Sequence, residues 1–493
     1  MTVSVLSAAL AGIDAVLITV ETRICPGVSY FIVGLPGEAV RESLFRVESA
    51  ITSEEFDMPR QKILISLAPA GIRKEGAVFD LPIALSILAA SGQLVPEQMA
   101  DFMFTGELSL TGKLRSIKGA LSVAVEARKA GIKRLVVPKE NANEAAMVSD
   151  LAVFGFETLK EVVDFLHQPD TVQPTVVKQF ERKQSERLYQ ADFSEVRGQE
   201  KVKRALEVMA AGGHNGLLIG PPGTGKTMLA TRLPGILPPL GLQESLETTR
   251  IYSVAGQLDQ TGLITERPFR APHHTASDIS LVGGGPVAMP GEISMAHNGV
   301  LFMDELPEFK RRVLEVLRQP LEERQIAISR ASYVVNFPAN FVLLAAMNPC
   351  PCGFHGHPGR KCSCTAQAIR LYRSKLSGPL LDRIDLHIAV PPADLNERSA
   401  ESSAVVRERV IAARNIQLKR AGVCNALMNN EHLRKHCGLG KTEQEVLNQA
   451  MVQHKLSARS YERILKMART VADLAGSKNI GLVHLAEAIG YRA

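Results

Sequence analysis

No window in this 493-residue chain approaches the ~20 continuous apolar residues of a membrane-spanning helix. The one apolar stretch at the start, MTVSVLSAALAGIDAVLITVE, has no Lys or Arg ahead of it and is broken by Asp14, which argues against a secretory signal and for a cytoplasmic protein. Cysteine is scarce and unevenly placed. Four of the seven crowd into residues 350–364, unlike the spread of a secreted disulfide framework. No internal repeat and no long low-complexity tract is present, which excludes solenoids and wholly disordered chains. Charge of neither sign dominates: 57 Lys and Arg against 51 Asp and Glu leave +6, mildly basic, which permits a nucleic-acid partner without requiring one.

What is present is enough for two or three domains. Residues 1–167 alternate β-like runs (ITVETRI, SYFIVGL, KILISLA, RLVVP, LAVFGF) with helical ones (EAVRESLFRVESAI, DLPIALSILAASG, ALSVAVEARKAG), the pattern of an α/β domain. Residues 168–191 are rich in Pro, Gln and charge without an apolar period and read as a linker. Residues 192–394 carry further buried-strand patterns, NGLLIG, GVLFMDE, FVLLAAMN and DLHIAVP, and residues 395–493 read as helical throughout.

The stretch Gly220-Pro221-Pro222-Gly223-Thr224-Gly225-Lys226-Thr227 follows an apolar strand and precedes the helical TMLATRL, the context of a phosphate-binding loop. Its glycines let backbone N–H groups turn inward around phosphates, and the helix N-terminus adds positive potential. Lys226 is placed to reach the β- and γ-phosphates of ATP, and Thr227 to hold Mg²⁺. GVLFMDE puts Asp304 and Glu305 at the end of a buried strand. Asp304 is expected to hold Mg²⁺ through water and Glu305 to polarise the attacking water. Alone, such a pair is equally a solvated strand end; the upstream loop favours catalysis. Asn348, ending a second apolar run, is placed to orient that water. Arg383, before DLHIAVP, suits an arginine finger acting on a neighbour's nucleotide, which would imply a ring; the alternative is a surface salt bridge with Asp382 or Asp385.

Cys350, Cys352, Cys362 and Cys364 form two C-x-C pairs nine residues apart. Gly353, Gly356, Pro358 and Gly359 lie between them, with His355 and His357 as other nitrogen donors. Four thiolates on one bendable loop could enclose a structural Zn²⁺; the alternatives are metal-free thiols or a redox switch. Cys25, Cys424 and Cys437 stand alone and read as core residues or inert thiols.

Taken together, GPPGTGKT, GVLFMDEL, AAMNP and LLDRIDLHIAV resemble the AAA+ ATPases of the magnesium-chelatase and MCM-helicase branch. RPFRAPHHTASDISLVGGG, PGEISMAHNGVLFMDELPEF and NPCPCG narrow the resemblance to the ComM/YifB family. That resemblance implies a P-loop AAA+ core with a helical lid. It implies a homo-hexameric ring, and ATP-driven branch migration of recombination intermediates in natural transformation, with single-stranded, duplex and branched DNA as partners. It maps a sensor role onto Asn348, the finger onto Arg383 and a second sensor onto Arg459, with Arg463 as the lesser choice. It also implies a pre-sensor hairpin whose tip residue, Arg330, faces DNA in the pore. Arg267, Arg270, His273 and His274 of the inserted RPFRAPHH are further pore-facing candidates; the alternative is a hairpin that only packs between subunits.

GELSLTGKLRSIKGALSVAVEARKAGIKRLVVPKEN and RKEGAVFDLPIAL resemble the proteolytic domain of Lon, a fold like ribosomal protein S5 domain 2. The dyad serine position falls on Val78 and the lysine position on Leu121, so the fold is expected without peptidase chemistry. A magnesium-chelatase-type subunit and a protein-remodelling ATPase remain as other classes. The Lon-like domain is expected to argue against the first and the missing dyad against the second.

Overall fold

The computed structural model describes residues 2–176, 191–258, 262–285, 288–329, 334–392 and 401–492. Its first sheet has seven strands, in the order Tyr30–Val33, Lys62–Ala68, Asp14–Cys25, Thr2–Ala11, Phe102–Phe104, Arg134–Pro138 and Ala152–Phe156. The two longest strands pair antiparallel from Thr2↔Arg23 to Ala11↔Asp14, joined at Gly12 and Ile13. Every β-like run named above in the N-terminal region lies on one of these strands. The opening apolar run, read only as a rejected signal, is itself the central strand Thr2–Ala11, with Val3, Val5, Ser7 and Ala9 buried on one face. Helices Glu38–Ser53 and Asp80–Ala90 cover the sheet. The second is buried almost all round, which explains its unbroken apolar sequence. The Lon dyad positions are filled by packing residues: Leu121 is fully buried and Val78 leans on the same domain's core.

The ATPase sheet has five parallel strands, in the order Phe269–Arg270, Val300–Met303, Val342–Met347, Gly216–Ile219 and Leu386–Ala389. Parallel strands need crossovers on both faces. That buries the strands twice over, and it is why VLFM and VLLAAM read as unbroken apolar runs. All five strand ends open on one edge, where ligands of such sheets bind. The described C-terminal residues are helical, including Ser403–Ala421, Lys441–Gln453, Ala458–Leu474 and Leu482–Gly490.

The two domains interlock. Ile13, at the tip of the first hairpin, is buried among ATPase residues Ile326, Ile328 and Val335 of the hairpin Gln325–Ser329 and Val334–Pro338. Arg250 Nη2 donates to Ile13 O (2.8 Å) and to Asp14 Oδ1 (2.5 Å), and Gly119 N donates to Ser253 O (3.2 Å). No helix among the described residues is long and apolar enough to cross a membrane.

Candidate nucleotide site and its cysteine loop

The loop 220–225 leaves the strand Gly216–Ile219 and enters the helix Lys226–Ile236. Gly223 (φ +79°) and Gly225 (φ +80°) take left-handed conformations that a side chain would strain, and these tilt the loop amides inward. The resulting cavity, about 430 Å³, is lined by Pro222–Met228, Asp304, Glu305, Met347 and Asn348. The sheet therefore gathers the loop and the ends of the two neighbouring strands at one place, as their motifs implied.

Within it, Lys226 Nζ donates to Gly220 O (2.7 Å), Pro221 O (2.8 Å) and Asn348 Oδ1 (3.2 Å). Burial holds this lysine below its usual pKa, and the charges of Asp304 and Glu305 pull the other way. An incoming phosphate would supply the anionic partner that the burial leaves wanting. Thr227 Oγ1 donates to Asp304 Oδ2 (2.7 Å), so the two proposed Mg²⁺ groups already touch. Glu305 sits at φ +52°, a conformation that costs a non-glycine residue about 1 kcal/mol and recurs at functional sites.

The structure also gives Glu305 a partner that the sequence reading assigned elsewhere. His274 Nδ1 lies 3.5 Å from Glu305 Oε2, its ring 4.2 Å from that of His273 and edge-on to Phe309. The strand Phe269–Arg270 pairs beside Val300–Met303, so the residues following each strand emerge side by side. His274 therefore lies against Glu305 at the edge of the nucleotide site. His273 remains exposed, bonded to Thr275 Oγ1 (2.7 Å).

Arg267 and Arg270 both have internal partners. Arg267 has only 11% of its side chain exposed and donates to Pro238 O (2.6 Å), Asn298 O (2.6 Å) and both oxygens of Glu244 (3.2 and 2.9 Å). Arg270 is bidentate on Glu292 (2.6 and 2.5 Å). Both guanidiniums are spent on internal partners, and neither offers a phosphate a free fork. Arg330 lies outside the described residues; the arms of its hairpin, Gln325–Ser329 and Val334–Pro338, are described.

Arg383 is buried, donating to Pro379 O (2.6 Å) and pairing with Glu322 (2.6 Å) in place of the acids adjacent in sequence. Asp385 instead pairs with Arg463, and Asp382 with Arg492 (3.4 Å). The bond from Arg383 and then its charge, with those of Arg459 and Arg463, hold the Glu322 carboxyl below its usual pKa. Arg459 is exposed in the first turn of Ala458–Leu474. These arginines therefore gather around Glu322 and none of them lines the cavity holding Lys226.

The four cysteine sulfurs converge: Cys350–Cys352 at 3.4 Å, Cys350–Cys362 at 3.7 Å, Cys352–Cys362 at 3.5 Å, and all four within 4.8 Å. A tetrahedral zinc with Zn–S near 2.3 Å spaces its sulfurs by about 3.8 Å, so the residues fit that ion. Backbone N–H groups of His355, Cys352 and Cys364 point at Cys350, Cys364 and Cys362 Sγ (3.3–3.4 Å), as thiolate ligands require. The Phe354 N–H pulls the Cys352 thiol down to about 5. Cys362 rises to about 12 despite the bond from the Cys364 N–H, since burial and bonds to its neighbours oppose a second negative charge. Of the other three, Cys424 and Cys437 are buried and Cys25 is half-buried at a strand end.

Family sequence profiles cover most of the chain. "Magnesium chelatase, subunit ChlI" matches residues 192–398, its C-terminal counterpart matches 400–492, and "Subunit ChlI of Mg-chelatase" matches 20–141. The chain is 46% identical to competence protein ComM of Haemophilus influenzae, over 99% of this chain and 97% of that one. It is 44% identical to the uncharacterized protein YifB of Escherichia coli, over 98% and 96%. Lon protease 1 of Thermus thermophilus is 30% identical over 32% of this chain and 23% of its own.

Proposed function

The chain belongs to the ComM/YifB family, ATPases of the magnesium-chelatase AAA+ class. From that premise we propose that it is a hexameric DNA motor that spends ATP on branch migration of recombination intermediates during natural transformation. The observation that carries this reading is an ATPase cavity that gathers Lys226, Thr227, Asp304, Glu305 and Asn348 yet is short of one positive charge. Among the described residues lining it, Lys226 is the only cation. Transition-state charge on the γ-phosphoryl group needs a second; Arg459 is exposed, and Arg383 would have to leave Glu322, for either to reach a neighbouring subunit's nucleotide. An arginine acting in trans would require a ring, and a ring would have a channel. The hairpin bearing Arg330 is the segment best suited to follow a phosphate backbone through that channel.

In hydrolysis, Lys226 leaves Gly220 O and Pro221 O to bind the β- and γ-phosphates. Thr227 and Asp304, now bonded to each other, are the residues that would hold Mg²⁺. Glu305 turns from His274 to accept the proton of the attacking water, and Asn348 orients that water. When bound, Mg²⁺ would supply neutralisation of phosphate charge. We also assign one structural Zn²⁺ to Cys350, Cys352, Cys362 and Cys364; four protein ligands leave no open position for catalysis.

The test is ATP hydrolysis and junction migration by wild type and Lys226→Ala, without DNA and with single-stranded, duplex or four-way-junction DNA. DNA-stimulated hydrolysis, with migration lost in the variant, supports the motor. Hydrolysis indifferent to every DNA refutes it. A chelatase-type role is the second reading, because the chelatase description reaches the N-terminal domain as well, and that domain therefore does not separate the two. Stimulation by a porphyrin instead of DNA would select it.

A further inference from the structure

The cysteine loop touches the nucleotide machinery at two points. One is covalent: only Pro349 separates Asn348 from Cys350. Cys350 is fully buried, and Pro349 has a ring-fixed φ and a carbonyl that accepts from Arg373 Nε (3.3 Å). A displacement of the Cys350 sulfur therefore passes to Asn348 with little slack. The other point is a packing contact. Gly353, buried at φ +83°, lies flat on the phosphate loop, and a Cβ there would come within 2.5 Å of Pro222 Cδ and 3.1 Å of Pro222 Cγ. The loop presses on Pro222 while its first cysteine anchors the residue that receives Lys226 Nζ.

The second cysteine pair ties this arrangement to a different element. Cys364 runs directly into Thr365, whose hydroxyl caps the helix Ala366–Arg373 by accepting from Ala368 N (3.1 Å), and that helix supplies Arg373. Without a cation nothing bonds the two cysteine pairs together, and the nine residues between them, Gly353, Gly356 and Gly359 included, can relax apart. With a cation they form one rigid knot joining the phosphate loop, Asn348 and the helix behind them.

We propose that a soft divalent cation, zinc, held by Cys350, Cys352, Cys362 and Cys364, is the strut that fixes Asn348 and Pro222, so that ATP turnover depends on a metal lying outside the nucleotide cavity. This rests on the zinc and ATPase readings above. The cysteines are positioning residues: they act through Asn348 and Pro222 and touch no phosphate. Lys226 and Thr227 are carried by the helix Lys226–Ile236, and Lys226 keeps Gly220 O and Pro221 O as partners when Asn348 shifts, so metal loss acts on turnover more than on capture of ATP.

The experiment uses the purified full chain under reducing conditions. Its readouts are zinc content by atomic emission, binding of a fluorescent ATP analogue, and kcat and KM for ATP. The proteins are wild type, Cys362→Ser/Cys364→Ser and Gly353→Ala. Wild type is expected to hold about one zinc per chain, and the double serine variant none. The serine variant should lose roughly tenfold to a hundredfold in kcat with KM changed by less than about threefold, as for a displaced water-orienting group. Zinc returned to chelator-stripped wild type should restore kcat, and should not restore it in the serine variant. Gly353→Ala should keep its zinc yet lose both kcat and analogue affinity, because the clash falls on Pro222.

A wild type without zinc and with full activity overturns the metal site itself. One zinc per chain, with a serine variant that turns over normally, overturns the coupling and leaves the site standing. Should the serine variant lose its helical circular dichroism, Gly353→Ala decides: zinc retained with wild-type kcat and affinity refutes the strut.

Discussion

Replacing Arg267 with Met separates a structural arginine from a DNA contact, because the two roles predict opposite readouts. The change keeps the aliphatic stem and removes a guanidinium that donates to Pro238 O, Asn298 O and the Glu244 carboxylate. Glu244 loses little: its side chain is 37% exposed and can rehydrate, and it keeps the Gly241 N–H (2.9 Å). The loss falls on the two carbonyl oxygens, at about 1 kcal/mol each, and on the charge-assisted pair, at about 1–2 kcal/mol once its exposure is discounted. A total near 3 kcal/mol corresponds to roughly 6–12 °C in the melting of a domain of this size. Differential scanning calorimetry and DNA binding on the same samples form the assay. The expected result is a melting drop in that range with DNA affinity of the folded protein within about twofold of wild type. A variant that melts within about 2 °C of wild type but binds DNA tenfold more weakly would refute the structural assignment. Arg267→Lys should rescue only part of the loss, since a single ammonium cannot reproduce the directed bonds of the guanidinium to carbonyls on two segments and to Glu244.

Glu305→Gln should bind ATP with near wild-type affinity and lose roughly 10²–10⁴-fold in turnover, the range for removing a general base; single-turnover hydrolysis checks it. His274→Ala removes the imidazole that lies 3.5 Å from the Glu305 carboxylate. It is expected to change ATP turnover without DNA by at least about threefold while leaving analogue binding unchanged, and equal kinetics would show that the contact is idle. Burial, with the charge of Arg492, lowers the His387 imidazole to about 4, below its unfolded value near 6.5. The unfolded chain therefore binds a proton that the folded chain refuses between those pH values. This stability is fully present above pH 6.5 and is lost as pH falls toward 4. His387→Gln should flatten the fall in stability between roughly pH 7 and pH 5 by about 2 kcal/mol, read from urea melts at each pH; an unchanged slope would refute it.

How much of this was legible in the chain divides by the range of the physics involved. GPPGTGKT, VLFMDE and VLLAAMN were readable because a phosphate loop and the doubly buried strands beside it are set by consecutive residues: glycines at left-handed positions, then apolar runs ending in a polar group. The same holds for the cysteines, which one short glycine-bearing loop brings together, and for the absence of a dyad at Val78 and Leu121. The first strand, Thr2–Ala11, was missed because its small residues blur the alternation on which strand reading depends.

Only the tertiary structure decided where charged side chains spend themselves. Arg267 with Glu244, Arg383 with Glu322 and His274 with Glu305 are pairs 23, 61 and 31 residues apart. The letters RPFRAPHH read the same whether their guanidiniums face a pore or an internal carboxylate. The partner is chosen by how helices and strands pack, and burial then makes that choice costly to undo. The contact of Gly353 with Pro222, across 131 positions of sequence, is of the same kind. Local backbone chemistry wrote the nucleotide site into the sequence; the packing of distant segments determined which side chains support it and which remain for a partner.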